Sequence, residues 1–205
     1  PTPVNGEITA IAQMDTNHFF IGTGSGLFRA RIERGKLNIV HDEAVESINT
    51  PVHELYYHAI SKQLFVGNYK EGILIYDMGK TGKIIPCQSL NNVEINRIVT
   101  LNAHELLIAT GGKGVYKLDM NTYISEPYIT ADYSSYNGMN GNNINDIYVD
   151  EEERIWLANY PTGITIRNNR YGSYDLIRHS IGNNLSLVND QVHDVMEDSD
   201  GDLWF

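Results

Sequence analysis

The sequence is poor in three features that would narrow its function at once. A single cysteine, Cys87, among 205 residues excludes an internal disulfide and a thiolate metal site. No apolar run approaches the roughly 20 residues needed to span a bilayer. Basic residues number 15 against 26 acidic ones, which gives a net charge of −11. Because nucleic acids and anionic lipids are bound through lysine and arginine, we expect neither as a partner.

Tyrosine and glycine are abundant, with 13 and 18 copies, and 41% of the residues are hydrophobic. This length and hydrophobic content suffice for one sizeable domain with a core. Tyrosine at this level, together with isoleucine and valine, suits β structure and polar recognition surfaces.

An internal repeat organises the chain, with copies that begin about every 45 residues. The copies start at Ile8, Val52, Ile95, Ile144 and Val192. A small residue recurs in the first four copies at Gly22, Gly67, Ala109 and Ala158. A glycine followed by Leu, Ile or Val recurs at Gly26, Gly72, Gly114 and Gly163.

Each copy reads as four short strands separated by turn residues. In the fourth copy we predict strands at 144–149, 155–158, 163–167 and about 174–179. Four short strands in each unit of this length are typical of a β-propeller blade. The sequence therefore predicts an all-β chain, a β-propeller with four blade repeats of about 45 residues and the start of a fifth. The predicted repeats are 8–51, 52–94, 95–143, 144–191 and a truncated copy from 192.

The fifth copy contains one inner strand and part of a second. Because propellers close with four to eight blades, we expect the chain to be a fragment of a larger ring. In that case Trp204 is a core residue of a second strand, equivalent to Trp156. The alternative is a four-bladed ring in which residues 1–7 complete the last blade.

Two stretches carry a familiar motif, "LSLVNDQVHDVMEDSDGDLWF" and "GNNINDIYVDEEERIWLANYPTGI". They resemble the two-component regulator propeller repeat, and the resemblance extends over all four units. The first three units depart from it, with Phe20, Phe65 and Leu107 in place of the tryptophan. The resemblance implies the periplasmic sensor region of a hybrid two-component system, which binds an oligosaccharide or other small ligand. The signal would pass to a membrane-linked histidine kinase outside these residues, and the intact protein would be a homodimer anchored in the inner membrane.

Two other functions stay open at this point. One is a non-catalytic interaction scaffold in a surface or secretion complex. The other is a propeller-type polysaccharide lyase or hydrolase, which would need carboxylates or a histidine converging on one site. No catalytic residue, cofactor or metal site is predicted.

Strand direction sorts the loops into two faces. In an antiparallel blade, the loop leading into the first strand (the leading loop) and the loop between the second and third strands (the middle hairpin) lie on one face. The loop between the first and second strands (the inner hairpin) lies on the other. In propellers ligands gather on the first face, so we expect the site there. One polar position inside each inner strand would contribute to a ring at the channel mouth: Thr9, His53, Asn96, Asn145 and His193.

The middle hairpins supply amides next to aromatic rings, which is the chemistry that binds neutral sugars. Candidate ligand-binding residues are Asn68, Tyr69 and Lys70 in one hairpin, and Asn159 and Tyr160 in another. Tyr136, in the longest connection between units, joins them because long loops in compact folds are often functional. The competing interpretation is structural, since asparagine favours tight turns.

Two motifs, one acidic and one that contains histidine, are interpreted as structural. "EDSDGD" at 197–202 falls on an inner hairpin, and Asp-Gly is a hairpin signal, so we predict a turn and not a calcium loop. The "HEL" triplets at His53 and His104 look like a kinase phosphoacceptor. That motif works on a helix, whereas both triplets are predicted at strand starts or turns.

Overall fold

The computed structural model describes residues 6–46, 48–69, 71–80, 83–86, 90–131, 138–139 and 141–205. The chain divides into two compact units, Pro1–Ile95 and Asn96–Phe205. Within the described residues, no helix is both long and apolar enough to cross a membrane.

The first unit contains two antiparallel sheets of four strands, each in sequential order. The first sheet consists of β1 (Ile8–Gln13), β2 (His18–Thr23), β3 (Gly26–Glu33) and β4 (Lys36–Val40). A short helix, α1 (Glu43–Glu46), follows it. The second sheet consists of β5 (Glu54–His58), β6 (Gln63–Asn68), β7 (Gly72–Asp77) and β8 (Lys83–Pro86).

The second unit contains two further four-stranded sheets and a two-stranded one. The third sheet consists of β9 (Ile95–Asn102), β10 (Glu105–Thr110), β11 (Gly114–Asp119) and β12 (Ser125–Ile129). The fourth consists of β13 (Ile144–Val149), β14 (Arg154–Asn159), β15 (Gly163–Asn168) and β16 (Tyr174–Ile177). The fifth copy forms β17 (Met196–Glu197) and β18 (Leu203–Trp204).

The all-β prediction with propeller-type blades is confirmed, and the strand bounds in the fourth copy differ little from the prediction. β14 is one residue longer at each end than predicted, and β16 ends at Ile177, two residues early. The reason for the early end is that His179 leaves the ladder: its backbone N–H donates to Asp190 Oδ1 at 2.5 Å. The helix α1 has no counterpart in the sequence prediction.

The second strands of the second and third sheets, β6 and β10, are buried on both faces, which explains their continuous apolar sequence. All six residues of β6 are buried, as are Leu106–Thr110 in β10. The recurring small residue also has a packing reason. A Cβ atom on Gly22 would overlap the side chain of Val52, and one on Gly67 would overlap Ile95. The first residue of the following copy therefore occupies the space that a larger side chain would need.

The side chain at the tryptophan position of the repeat is buried to different degrees in the copies. Phe20, Phe65 and Leu107 are completely buried in their sheets, whereas Trp156 is only partly buried. Trp204 is 60% exposed, because its strand, β18, pairs with β17 alone within the described residues. Its place in the core of a complete blade stays a prediction.

Candidate functional site

Leading loops and middle hairpins share one face in each unit, as the strand directions predict. In the first unit, Leu27 N–H donates to Ile48 O at 3.1 Å, which joins the β2–β3 hairpin to the following leading loop. In the second unit, Gly114 N–H donates to Asn142 O at 2.7 Å in the same way. These backbone bonds hold the two hairpins against the leading loops that follow them, so their side chains are presented together.

The second strands end in buried polar side chains that shape the middle hairpins: Thr23, Asn68, Thr110 and Asn159. Thr110 Oγ1 accepts the Lys113 N–H at 3.1 Å, and Asn68 Oδ1 accepts the Glu71 N–H at 2.5 Å. Asn68 and Asn159 are 2% and 0% exposed. Both therefore position the tyrosine that follows them, and their own contact with a ligand stays a prediction.

A cavity of about 370 Å³ opens beside the β6–β7 hairpin in the first unit. This volume lies in the range of small-molecule sites. The cavity is lined by Asn49, Thr50, Pro51, His53, Asn68, Tyr69 and Glu71. It brings together three of the predicted residues, namely His53, Asn68 and Tyr69.

The side chains of this cavity offer an aromatic face and several polar groups. The Tyr69 ring is 60% exposed, and both His53 and Glu71 are exposed. One carboxylate oxygen of Glu71 accepts Asn68 Nδ2 at 2.9 Å, which fixes the carboxylate beside the hairpin. The Thr50 hydroxyl is buried and makes no hydrogen bond within the described residues.

Sequence reasoning missed Asn49, Thr50, Pro51 and Glu71. The strand-direction rule that selected Tyr69 also covers these four, because three belong to the leading loop and Glu71 belongs to the same hairpin as Tyr69. The signal was therefore present in the repeat alignment. Side-chain type alone did not separate them from ordinary turn residues.

A second group of predicted residues lies in the second unit. The rings of Tyr160 and His193 have centroids 6.0 Å apart with planes inclined at 49°. The Tyr160 N–H donates to Asn143 O at 3.0 Å, which holds this tyrosine over the leading loop of its own blade. Tyr160 is 37% exposed, so one face of the pair is open to solvent.

The polar position of the inner strands joins successive blades. Asn96 Nδ2 donates to Ile144 O at 2.8 Å, and Asn145 Nδ2 donates to Val192 O at 3.0 Å. Thr9 Oγ1 makes the equivalent bond to Val52 O. In each case the acceptor is the first residue of the next copy. These side chains therefore hold neighbouring inner strands in register, a role that the sequence did not indicate.

Two predicted residues, Lys70 and Tyr136, lie outside the described residues. Thr9 and His53 belong to the first unit, whereas Asn96, Asn145 and His193 belong to the second. Within the second unit the structure brings Tyr160 and His193 together. The predicted ring at the channel mouth stays a prediction.

The opposite face carries the inner hairpins, including the acidic run near the end of the chain. Asp198 Oδ1 accepts the N–H groups of Asp200 and Asp202, both at 3.0 Å, and Asp198 Oδ2 accepts Trp204 Nε1 at 2.7 Å. These bonds lower the pKa of Asp198, the indole bond most of all. Both oxygens are thus used by the turn. Among the described residues, no group of three or more His, Cys, Asp or Glu side chains is placed to hold a metal ion.

The fourth copy builds its inner hairpin in the same way. Asp150 Oδ2 accepts Trp156 Nε1 and Arg154 Nε, each at 2.7 Å. Burial opposes ionisation of Asp150, but these hydrogen bonds hold its pKa below the usual value. The aspartate and the tryptophan six residues after it are therefore partners in both copies: the carboxylate closes the turn and accepts the indole N–H.

The two hairpins with this Asp-Trp pair also occur in a known protein family. The model of the family described as two component regulator propeller matches residues 138–160 and 186–205. These are the two segments that contain the Asp-Trp hairpins. The resemblance to the two-component regulator propeller repeat is confirmed for these two segments. Its extension over the first three units stays a prediction. No curated protein matches the chain.

Solved structures with the same fold include two of one bacterial protein. They are extracellular domains of BT4673 from B. thetaiotaomicron, one described as a one component system and the other as a hybrid two component system. Both have a TM-score of 0.74 and cover 100% of this chain, with 17% and 18% identity. The chain spans 27% of the length of each.

Other propellers are similar to a lesser degree. The WD40 β-propeller domain of Doa1 has a TM-score of 0.68 at 11% identity, covering 97% of this chain and 60% of that one. PorZ, a surface component of the type-IX secretion system of Porphyromonas gingivalis, has a TM-score of 0.55 at 15% identity. That match covers 84% of this chain and 22% of PorZ. At these identities the similarity establishes the propeller fold.

Proposed function

We propose that the chain is part of the extracytoplasmic sensor propeller of a hybrid two-component regulator. The match of residues 138–160 and 186–205 to the two component regulator propeller carries this proposal. The fold shared with the extracellular domains of BT4673 supports it. The propeller would bind its ligand outside the cytoplasm, without catalysis, and pass the signal to a membrane-linked histidine kinase encoded outside these residues.

The ligand in this proposal is an oligosaccharide. The cavity beside Tyr69 combines an exposed aromatic ring with hydroxyl, imidazole and amide groups. Such a ring packs against the C–H face of a sugar, while a few placed polar groups orient its hydroxyls. The net charge of −11 disfavours sulfated or uronic sugars because like charges repel. A neutral oligosaccharide fits these features best.

Calorimetric titration of the chain with pools of neutral oligosaccharides tests the proposal. We expect saturable binding that falls at least about tenfold, or about 1.4 kcal/mol, when Tyr69→Ala removes the ring. Tyr171→Ala is the matched control, because Tyr171 is a 76% exposed tyrosine on a turn between the third and fourth strands of its blade. This control should bind as the unmodified chain does.

Two results would count against an oligosaccharide sensor. Absence of binding with every pool would favour the interaction-scaffold alternative. Release of shorter sugars during the titration would favour a lyase or hydrolase. Equal losses in Tyr69→Ala and Tyr171→Ala would remove the cavity as the binding site.

A further inference from the structure

The cavity beside Tyr69 contains one carboxylate and no permanent cation among its described residues. Glu71 lines the cavity and is exposed. The described residues of the wall include no lysine or arginine, and His53 is the one side chain there that can become positively charged. Within the described residues, the hydrogen bonds of Glu71 are those with Asn68, and it forms no ion pair. The negative charge of this cavity therefore has no fixed partner in these residues.

Asn68 fixes the Glu71 carboxylate through two hydrogen bonds. The Glu71 N–H donates to Asn68 Oδ1 at 2.5 Å, and Asn68 Nδ2 donates to Glu71 Oε2 at 2.9 Å. Asn68 is itself 2% exposed, so the surrounding core holds its amide group in place. The second carboxylate oxygen, Oε1, accepts no hydrogen bond within the described residues. Because the carboxylate is already oriented, it loses little conformational freedom when that oxygen binds a ligand.

The Tyr69 ring is a second feature of this cavity that attracts positive charge. The ring is 60% exposed and lines the same cavity as Glu71. The face of an aromatic ring is negative, so it attracts an ammonium group that lies within about 6 Å of the ring centre. An ammonium group therefore gains from both the carboxylate and the ring, whereas a hydroxyl group gains mainly one hydrogen bond to the carboxylate. The net charge of −11 also raises the concentration of cations near the chain.

A metal ion does not fit this cavity as well as an organic cation. Calcium takes about six to eight oxygen ligands, whereas Glu71 supplies the one carboxylate among the described residues of the wall. In the part of the chain that the structure describes, no three His, Cys, Asp or Glu side chains are placed to hold a metal ion. A single carboxylate beside an exposed aromatic ring is an arrangement that recognises an ammonium group.

We propose that the cavity beside Tyr69 binds the ammonium group of an amino sugar, with the Glu71 carboxylate accepting its N–H groups and the Tyr69 ring beside it. The inference rests on the proposed function and changes one feature of its ligand. One unit of an otherwise neutral oligosaccharide carries a protonated amine in place of a hydroxyl group. The charge argument that disfavours sulfated and uronic sugars favours such a unit, because its charge is opposite to that of the chain.

Three trisaccharides that differ in one substituent test the proposal in calorimetric titrations of the whole chain at neutral pH. All three have β-1,4-linked rings of the glucose type, with a hydroxyl, an amine or an N-acetyl group at carbon 2. We expect the amine form to bind at least about fivefold more tightly than either neutral form. This preference should decrease in concentrated salt, because screening weakens the attraction between exposed charges. Equal affinity for the amine and hydroxyl forms would overturn the inference and leave the oligosaccharide sensor in place.

Two glutamate variants separate the Glu71 carboxylate from the net charge of the chain. Glu71→Gln removes the charge but keeps an oxygen that accepts Asn68 Nδ2, so the hairpin stays closed. This variant should bind the amine and hydroxyl trisaccharides within about twofold of each other. Glu151→Gln is the matched control, because Glu151 is an exposed glutamate on an inner hairpin of the second unit, and it should keep the full preference. An equal loss of preference in both variants would assign the effect to net charge and overturn the proposal.

Choline separates the positive charge from the sugar. It carries a permanent ammonium group without a sugar ring, so we expect it to bind at least about tenfold more weakly than the amine trisaccharide. Choline that binds as tightly as this trisaccharide would overturn the assignment to an amino sugar. Failure of all three trisaccharides to bind would also overturn it. The titrations with pools of neutral oligosaccharides would then decide separately whether the chain is an oligosaccharide sensor.

Discussion

The hairpins at 68–71 and 159–162 begin with the same Asn-Tyr pair and close in different ways. In the first, Asn68 bonds to Glu71 twice, through the backbone N–H and the carboxylate. In the second, Asn159 Nδ2 donates to Gly141 O at 3.2 Å, and the Thr162 N–H donates to the backbone oxygen of Asn159. One hairpin is closed by its own residues, and the other is tied to a leading loop.

This difference changes how the two tyrosines are presented. Tyr69 is 60% exposed and borders the cavity, whereas Tyr160 is 37% exposed and lies against His193. The position of Tyr69 depends on its own hairpin. The position of Tyr160 depends on Asn143, Gly141 and the segment that carries His193. One repeated motif thus gives a more exposed aromatic ring beside a cavity in one unit and a ring packed against a histidine in the other.

Replacement of the glycine that follows each hairpin should have the largest effect on stability. The effect should be similar for the two hairpins. Gly72 and Gly163 have φ angles of 70° and 86°, and an added Cβ would overlap Leu90 O or Ile177 O. We expect Gly72→Ala and Gly163→Ala each to lower the free energy of unfolding by about 3 kcal/mol or more, from strain and steric overlap together. Chemical denaturation followed by circular dichroism measures this.

Gly24→Ala is the control for both glycine variants. Gly24 lies in the β2–β3 hairpin, and among the described residues no atom outside its own neighbourhood lies within 4 Å of an added Cβ. The free energy of unfolding of the Gly24→Ala variant should differ from that of the unmodified chain by less than about 0.5 kcal/mol. If Gly72→Ala were as stable as Gly24→Ala, the account of the recurring glycine would be wrong.

Removal of the asparagine side chain should destabilise the protein by different amounts in the two hairpins. Asn68→Ala leaves the Glu71 N–H without its acceptor, so we expect a loss of about 2 kcal/mol in the free energy of unfolding. Asn159→Ala removes a side chain whose Oδ1 is buried without a partner in the described residues, and it deletes one bond to Gly141 O. We expect a smaller loss, about 1 kcal/mol.

The two asparagine variants control for each other, because both side chains are buried and of equal size. Thermal and urea unfolding of the two proteins under the same conditions give the difference. A larger loss for Asn159→Ala than for Asn68→Ala would mean that the tie to Gly141 matters more than closure within the hairpin.

Much of the fold could be predicted from the sequence because the repeat fixes it several times over. The strand pattern, the small residue packed by Val52 or Ile95 and the glycine at positive φ recur in each copy. The bonding of individual side chains could not be predicted in this way. Asn68 and Asn159 occupy the same position, yet their partners are set by residues that differ between copies, Glu71 in one and Gly141 in the other.

The ion pair of Arg97 and Asp146 shows the same limit. Both residues occupy one position of the repeat, where the other copies have Ala10, Glu54 and Asp194. The position is charged in four of the five copies, but the sign of the charge changes, so a single sequence does not show which charges meet. The pair appears only when neighbouring inner strands lie side by side.

The smallest effects should come from the tyrosines themselves. Tyr69 is mostly exposed and lies at a hairpin tip, so Tyr69→Ala should change the free energy of unfolding by less than about 0.5 kcal/mol. Tyr160→Ala loses the contact with His193, and we expect a cost of about 1 kcal/mol. A double-mutant cycle with His193→Ala isolates that contact, and we expect a coupling of about 0.5 kcal/mol. Additive effects of Tyr160→Ala and His193→Ala would show that the rings adjoin without stabilising each other. In that case the second hairpin would be as independent of its neighbours as the first.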